Sequence, residues 1–160
     1  MLKQIMEVTP EAVEKLFALY RESMDGMAGQ FAAPEEMRAA YAGFLAGFVQ
    51  APGRLVLVEE EAGKWVSGLR AVEQPKGVWF LEAVETMPEE RRKGYGKALL
   101  LDTLAELDRR GGTEVSCTIG RHNAPSIALH TVCGFAASGE PPVNCWGELE
   151  EGTVLYRRKL

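Results

Sequence analysis

Three strand-like segments follow one another directly in the middle of the chain, and this run constrains the fold more than any other feature. RLVLVEE at residues 54–60 and KWVSGLRAVE at residues 64–73 flank a short turn-prone stretch, which predicts a hairpin. GVWFLEAVETM follows at residues 77–87, after Pro75 and Lys76. A doubly wound nucleotide-binding fold needs strands that alternate with helices throughout. The run of consecutive strands therefore argues against that topology.

The flanking segments alternate between helical and strand patterns. An opening strand is predicted at residues 2–8, and residues 24–33 (MDGMAGQFAA) are predicted to form a loop between the first two helices. The other predicted elements are helices that begin at Pro10 and Pro34, a helix from Gly94 to Gly111, a strand TEVSCTI, a helix from about Ala124 to Cys133, and strands FAASGE and TVLYRRKL. The chain is predicted to be of the mixed α/β (α+β) class, with one domain over residues 1–160.

Composition excludes several classes of protein. A net charge of −5 argues against nucleic acid or an acidic membrane surface as the main partner. The sequence contains no apolar run of about 20 residues, and the glutamates within residues 1–20 are not typical of a signal peptide. Three cysteines without a C-x-x-C pair are typical of reduced thiols in a cytoplasmic protein. With two histidines and no metal-ligand spacing, no metal site is predicted.

The segment PEERRKGYGKALL, residues 88–100, indicates an anion-binding site. Arg91, Arg92 and Lys93 precede two glycines, Gly94 and Gly96, where a strand gives way to a helix. Unpaired backbone N–H groups and the positive end of the helix dipole favour a phosphate or pyrophosphate there. Neither a Walker loop nor a G-x-G-x-x-G motif is present. The alternative is a plain loop with solvated basic side chains.

Two blocks of the sequence resemble the GNAT superfamily of N-acetyltransferases. ETMPEERRKGYGKALL resembles the acyl-CoA signature, whose [QR]-x-x-G-x-[GA] core is matched by Arg91, Gly94 and Gly96. NAPSIALHTVCGF resembles a second family block, and the residues that match it are Asn123, Ser126, Leu129, Gly134 and Phe135. The two blocks occur in the family's order with a predicted strand between them. The resemblance implies a splayed central mixed sheet of six to seven strands flanked by about four helices.

The resemblance also implies acetyl-CoA as co-substrate. The pantetheine arm would pair like an extra strand with Val84, Glu85 and Thr86, and the pyrophosphate would lie on the N–H groups of residues 92–96. The resemblance assigns further residues to coenzyme A binding, in addition to the three that pair with pantetheine. They are Arg91, Arg92, Lys93, Gly94, Tyr95, Gly96, Lys97, Asn123 and His130. For Asn123 the alternative, or additional, role is that of a helix cap.

Two carboxylates in the strand at residues 77–87 are candidates for the catalytic base. Strand alternation places Glu82 on one face, with Val84 and Thr86, and Glu85 on the other. Each would lie in largely apolar surroundings, which is costly unless the carboxylate has a partner or a function. The alternatives are a residue that reaches water and a pair with an arginine such as Arg70. LEAVETMPEERRKGYG also resembles aminoglycoside-type acetyltransferases, which implies that Glu82 faces the acceptor amine as a base or an anionic anchor.

His130 occupies the motif position where many family members carry a tyrosine that protonates the leaving thiolate. It is therefore a candidate general acid, since a histidine titrates near neutral pH. The alternative is a histidine packed beneath its helix against Leu129 and Phe135. Cys133, one turn away, is expected to be a buried, unreactive thiol.

The resemblance implies an acetyl-CoA-dependent N-acetyltransferase that acts on a small-molecule amine by direct attack. Two alternatives stay open at this point: a protein or peptide N-acetyltransferase, and a non-catalytic acyl-CoA-binding sensor. Residues 24–33 are expected to cover the acceptor side of the site. The protein is expected to be a monomer or homodimer, and neither the acceptor nor the choice between Glu82 and Glu85 follows from the sequence.

Overall fold

The computed structural model describes residues Met1–Leu160 and contains one seven-stranded sheet. The strands are β1 (Leu2–Gln4), β2 (Arg54–Glu61), β3 (Lys64–Gln74), β4 (Val78–Thr86), β5 (Glu114–Gly120), β6 (Ala136–Ala137) and β7 (Thr153–Lys159). Their order across the sheet is β1-β2-β3-β4-β5-β7-β6. Only β4 and β5 pair in parallel; all other neighbours are antiparallel. The predicted class and the mixed sheet are confirmed, although the strands predicted at residues 2–8 and 135–140 are shorter than expected.

Five helices flank the sheet, one more than the sequence predicted. They are α1 (Pro10–Leu19), α2 (Arg21–Met27), α3 (Pro34–Gln50), α4 (Tyr95–Arg109) and α5 (Ala124–Val132). As expected from the sequence, α1 begins at Pro10. The preceding residue, Thr9, caps the helix, and its hydroxyl accepts a hydrogen bond from the Ala12 N–H. None of the helices combines the length and the hydropathy that a membrane-spanning segment requires.

The prediction of a loop at residues 24–33 was wrong for the first part of that segment. Helix α2 begins directly after Tyr20 and continues to Met27, and a short 3-10 turn follows at Ala28–Gln30. Gly26 lowers helix propensity by about 1 kcal/mol. The Met24 side chain is nevertheless buried in the protein core, and this packing outweighs the local preference.

Two hydrophobic clusters lie on opposite faces of the sheet. Helix α4 contributes leucines such as Leu100 and Leu104 to one cluster, whereas α1 and α3 contribute Leu16 and Phe48 to the other. Strand β2 serves both: Leu55 and Leu57 belong to the α4 cluster, and Val56 and Val58 to the opposite one. This alternation is that of a strand covered on both faces. Each fully buried leucine contributes roughly 1.5–3 kcal/mol of hydrophobic free energy.

Candidate active site

The sheet opens between β4 and β5. Their parallel pairing is limited to three residue pairs, from Val78↔Glu114 to Phe80↔Ser116. Beyond this point β5 continues its antiparallel pairing with β7, while β4 runs on to Thr86 without β5 beside it. The second half of β4 therefore offers a free backbone edge to an extended ligand. The residues predicted to bind pantetheine, Val84, Glu85 and Thr86, lie on this half of the strand.

A cavity of about 600 Å³, here named the α4 cavity, adjoins the open edge. It is lined by Glu22, Val84, Glu85, Thr86, Glu90, Arg91, Arg92, Gly94, Tyr95, Gly96, Lys97, Asn123, Pro125, Ser126 and Leu129. The structure thus brings together most of the residues that the sequence assigned to coenzyme A. Lys93 and His130 do not line the cavity.

The N-terminus of α4 forms one wall of this cavity. Gly94 precedes the first helical residue with φ of +87°, and no side chain caps the helix. The first backbone N–H groups of the helix therefore have neither an intrahelical partner nor a side-chain acceptor. Together with the positive end of the helix dipole, they form a binding site for an anionic group.

The two glycines of the motif serve different structural purposes. Gly94 adopts a left-handed conformation that side-chain-bearing residues rarely tolerate, and no other atom lies within 4 Å of a Cβ built there. At Gly96, by contrast, a Cβ would lie 3.1 Å from Leu129 Cδ2 and 3.2 Å from Thr86 Oγ1. Gly96 thus allows α4 to pack closely against α5 and β4. The sequence had explained both glycines by the space that an anion needs to approach the backbone, and it gave no sign of this packing role.

The basic side chains of this segment are not all equally available to a ligand. Arg91 is held by the Glu22 carboxylate at 3.1 Å, and its Nε donates to the Thr86 carbonyl. Lys93 forms an ion pair with Glu90 at 2.9 Å. Arg92 and Lys97 line the cavity and form no ion pair within the protein. These two side chains are therefore the free positive charges beside the helix N-terminus.

The carboxylate of Glu90, another residue that lines the α4 cavity, is neutralised by two lysines. Lys64 Nζ and Lys93 Nζ donate to its two carboxylate oxygens at 2.6 and 2.9 Å. These hydrogen bonds hold the pKa of Glu90 below its usual range, and the one from Lys64 has the larger effect. Its negative charge is therefore balanced at the edge of the cavity, and it does not offset the charges of Arg92 and Lys97.

Asn123 combines the two roles expected for it. Its side chain caps α5 by accepting a hydrogen bond from the Ser126 N–H at 3.3 Å, and the residue also lines the α4 cavity. The cap leaves the amide NH₂ of Asn123 free to donate a hydrogen bond.

His130 is buried beneath α5 rather than exposed to the cavity. It is 2% exposed, its Nδ1 lies 2.8 Å from the Ser126 carbonyl, and its ring packs edge-on against Phe135. Its Nε2 makes no hydrogen bond within the protein. Burial lowers the pKa of His130, although the hydrogen bond to Ser126 partly opposes this. The geometry is that of the packed histidine considered as the alternative from the sequence, and the neighbouring Leu129, not His130, lines the α4 cavity.

A bulge in β4 changes the faces to which its carboxylates point. Gly68 pairs with Glu85 and Arg70 with Glu82, so β4 contains one more residue than β3 between these pairs. Ala83 has φ of +52° at this point. The predicted alternation across the whole strand was therefore wrong. Ala83 packs with the α1 and α3 cluster, and Val84 packs with the α4 cluster.

Because of the bulge, Glu82 and Glu85 lie on the same side of the sheet. Glu85 lines a second cavity on this side, together with Arg70, to which Glu82 is bound. The sequence had placed the two carboxylates on opposite faces. A one-residue insertion reverses the orientation of every side chain that follows it.

The second cavity, here named the α2–α3 cavity, has a volume of about 410 Å³. It is lined by Tyr20, Ser23, Met24, Met27, Phe31, Met37, Ala40, Tyr41, Phe44, Arg70, Ala83 and Glu85. Most of these side chains are apolar. Glu85 is the one residue that lines both this cavity and the α4 cavity. Glu85 therefore connects the two cavities through β4, and its carboxylate is bound by Ser23, which lines the α2–α3 cavity.

Glu82 is fully engaged and lines neither cavity. Its Oε1 accepts from Arg70 Nε at 2.9 Å, and its Oε2 accepts from Trp146 Nε1 at 3.3 Å. The pairing with Arg70 is the alternative that the sequence left open. Of the two carboxylates, only that of Glu85 belongs to a residue that lines both cavities.

Several contacts at the site had no motif to reveal them. The Tyr20 hydroxyl donates to the Ala83 carbonyl at 2.8 Å and thereby holds the bulge. A Cβ at Gly68 would lie 3.2 Å from that hydroxyl, so glycine leaves room for it. Ser23 Oγ donates to Glu85 Oε2 at 2.7 Å. The only signal in the sequence was Gly68 in the middle of an apolar strand, which is typical of a close backbone approach.

The two buried cysteines of the α4 cluster are not placed for catalysis. Burial raises the pKa of the Cys117 thiol to about 12 and also raises that of Cys133. Neither residue lines the α4 or the α2–α3 cavity. No group of three or more His, Cys, Asp or Glu side chains is arranged to hold a metal ion.

Residues 13–135 match the sequence profile of the acetyltransferase (GNAT) family. No curated protein sequence matches the chain at a significant level.

Solved structures with the same fold cover almost the whole chain. PaiA N-acetyltransferase from Thermoplasma acidophilum, solved in complex with coenzyme A, superposes with a TM-score of 0.74 at 16% identity, covering 100% of this chain and 99% of that one. Ribosomal-protein-alanine N-acetyltransferase from Brucella melitensis gives a TM-score of 0.74 at 21% identity, with coverage of 100% and 99%. Aminoglycoside 6'-acetyltransferase type Ii gives 0.71 at 15% identity, with coverage of 99% and 96%. At these identities the similarity establishes the fold.

Proposed function

Because the chain belongs to the GNAT family of acetyltransferases, we propose that it is an acetyl-CoA-dependent N-acetyltransferase that modifies a primary amine of a small molecule. The family assignment confirms the resemblance seen in the two sequence blocks, and with it the prediction of an acyltransferase. We propose further that residues 1–160 form one catalytic domain. The observation that carries the proposal is that Glu85, on the open half of β4, lines both cavities.

The α4 cavity fits coenzyme A in charge and in backbone geometry. The uncapped N-terminus of α4 suits a pyrophosphate, and Arg92 and Lys97 supply unpaired positive charge beside it. The free edge of β4 suits the amide groups of pantetheine, which need backbone partners. When bound, acetyl-CoA would supply the acetyl group as a thioester whose carbonyl carbon accepts an amine nucleophile.

Glu85 is our candidate for the group that receives the proton from the acceptor amine. An alkylamine is protonated at neutral pH and must lose a proton before or during attack. Glu85 lines both cavities, and its Oε2 is oriented by Ser23 Oγ at 2.7 Å. Its carboxylate can hold the ammonium by charge and remove its proton directly or through a water molecule. Glu82 orients Arg70 and Trp146 instead.

The departing thiolate does not depend on His130 in this arrangement. His130 lies one residue beyond Leu129, which lines the α4 cavity, and is itself buried. A thiol has a pKa of about 8.5, so its thiolate is an adequate leaving group near neutral pH. We therefore propose that His130 supports α5 through Ser126 and Phe135.

Free-thiol release from acetyl-CoA in the presence of an amine tests this function. We expect amine-dependent release with the wild type, and a loss of at least about 100-fold in kcat for Glu85→Gln, because general-base catalysis contributes about 10²–10⁴. Glu151→Gln is the matched control, since Glu151 is exposed and lies outside both cavities. Full activity of Glu85→Gln would overturn the role of Glu85. Absence of release with every amine, despite binding of acetyl-CoA, would favour the sensor alternative.

The free cysteines support a cytoplasmic location. Cys117, Cys133 and Cys145 form no disulfide, and unpaired cysteines are typical of reducing compartments. We propose that the protein acts there.

A further inference from the structure

We infer that the acceptor is a small monoamine with an apolar body, which the α2–α3 cavity binds while Glu85 holds its single ammonium group. This inference rests on the proposed function and specifies its substrate class. It separates the chain from acetyltransferases whose acceptors carry many amino groups.

The wall of the α2–α3 cavity is apolar on most sides. Methionines Met24, Met27 and Met37 and the rings of Phe31 and Phe44 line a space of about 410 Å³. This volume is within the range of about 300–1,000 Å³ that is usual for small-molecule sites. Met27 and Phe44 remain 39% and 44% exposed. An apolar body would therefore cover side chains that otherwise face water, and unbranched methionines adapt to its shape.

The charges in this cavity suit one ammonium group and no more. Glu85 is the only carboxylate that lines it, and its other charged group is Arg70. Arg70 is bound to Glu82 at 2.9 Å and lies over the Phe44 ring at 4.9 Å from its centroid. A second ammonium on the acceptor would find no carboxylate and would lie near a guanidinium. Burial of an unpaired charge is strongly unfavourable.

The hydrogen-bonding groups of the cavity also disfavour a peptide. Tyr20 Oη donates to the Ala83 carbonyl, Ser23 Oγ donates to Glu85, and Arg70 Nε donates to Glu82. The polar side-chain atoms that remain for a peptide are few: the Tyr41 hydroxyl, which is buried without a partner, and the Nη atoms of Arg70. A peptide brings a backbone N–H and C=O at every residue, and each needs a partner when buried. An apolar monoamine brings no such groups.

A pair of acceptors that differ only at one end tests the inference. Hexylamine and 1,6-diaminohexane have the same chain, but the second carries an ammonium where the first carries a methyl group. We expect kcat/KM for hexylamine to be at least about tenfold higher, which is the lower range of discrimination by an apolar pocket. An equal or higher kcat/KM for the diamine would overturn the inference. So would a higher kcat/KM for a Met-Ala-Ala peptide than for hexylamine.

A charge placed in the cavity wall should change this preference. Met27→Glu adds a carboxylate at a partly exposed position, and we expect the hexylamine-to-diamine ratio to fall by about threefold to fivefold, the size of a partly exposed ion pair. Met6→Glu makes the same substitution at a residue that is 76% exposed and outside this cavity, so its ratio should equal that of the wild type. An unchanged ratio in Met27→Glu, or equal changes in both variants, would overturn the assignment of this cavity.

The same measurements distinguish failure of the proposed acceptor class from failure of the proposed acetyltransferase function. If no amine stimulates thiol release, the N-acetyltransferase proposal itself fails. If amines stimulate release but the diamine or the peptide is preferred, the enzyme stands and only the apolar monoamine class is wrong.

Discussion

Alanine at Gly94 should weaken coenzyme A binding far more than it weakens the fold. Gly94 has φ of +87° and borders the α4 cavity, with no atom within 4 Å of an added Cβ. Gly111 follows the other end of α4 with φ of +84° and equally open surroundings. The two glycines thus impose the same backbone conformation at opposite ends of one helix, and only the first adjoins the proposed pyrophosphate site.

The cost to stability should be equal in Gly94→Ala and Gly111→Ala. A left-handed conformation costs a side-chain-bearing residue roughly 1–2 kcal/mol. The reduced entropy of the unfolded chain returns about 0.4–1 kcal/mol. A net loss of about 1 kcal/mol lowers the Tm by about 2–4 °C for a chain of this size. Thermal unfolding monitored by circular dichroism measures it.

The cost to binding should differ between the two variants. A methyl group at residue 94 would stand at the cavity wall and displace the pyrophosphate from the helix N-terminus. Loss of one charge-assisted hydrogen bond costs about 1.5–3 kcal/mol, or roughly 10- to 100-fold in Kd. Calorimetric titration with coenzyme A should show this for Gly94→Ala and a wild-type Kd for Gly111→Ala. A wild-type Kd for Gly94→Ala, with the expected loss in Tm, would refute an anion site at this helix N-terminus.

Two further predictions concern the ion pair of Arg91 and the buried His130. Glu22→Gln should tighten coenzyme A binding by about two- to fivefold, because it releases Arg91 from a partly exposed ion pair. Calorimetric titration measures the change in Kd. The control variant Glu89→Gln should show no such gain, since Glu89 pairs with Arg21 outside the cavity. Burial lowers the pKa of His130 below its ordinary value of 6.5. Below pH 6.5 the unfolded chain therefore binds more protons than the folded chain, and the free energy of unfolding should decrease as the pH falls. Urea unfolding at pH 7.5 and 5.5 should show a smaller pH dependence for His130→Leu, and an unchanged dependence would contradict a buried neutral histidine.

The sequence was informative where local chemistry determines structure. The motif of Arg91, Gly94 and Gly96 predicted an anion site at a helix N-terminus, and the helix begins there without a side-chain cap. The run of consecutive strands argued against a doubly wound topology, and β2, β3 and β4 indeed pair directly with one another. The mixed sheet was implied by the family resemblance. Asn123 was expected to cap α5, and it does so.

The sequence could not predict what depends on distant contacts. The bulge at Ala83 is held by a hydrogen bond from Tyr20, which is 63 residues away in the chain. The alternation of side chains along a strand does not reveal such a distant contact. The sequence therefore placed Glu85 on the wrong face relative to Glu82. Helix α2 likewise depends on the burial of Met24. The ion pair between Glu22, on α2, and Arg91 also joins residues that are far apart in the sequence.

A crystal structure of the protein with coenzyme A would reveal directly whether the α4 cavity is the cofactor site. We expect the pyrophosphate to accept hydrogen bonds from backbone N–H groups between Arg92 and Gly96. We also expect pantetheine to run along the free edge of β4, so that its sulfur atom lies beside Glu85. Coenzyme A bound elsewhere, or with its sulfur directed away from the α2–α3 cavity, would contradict this expectation.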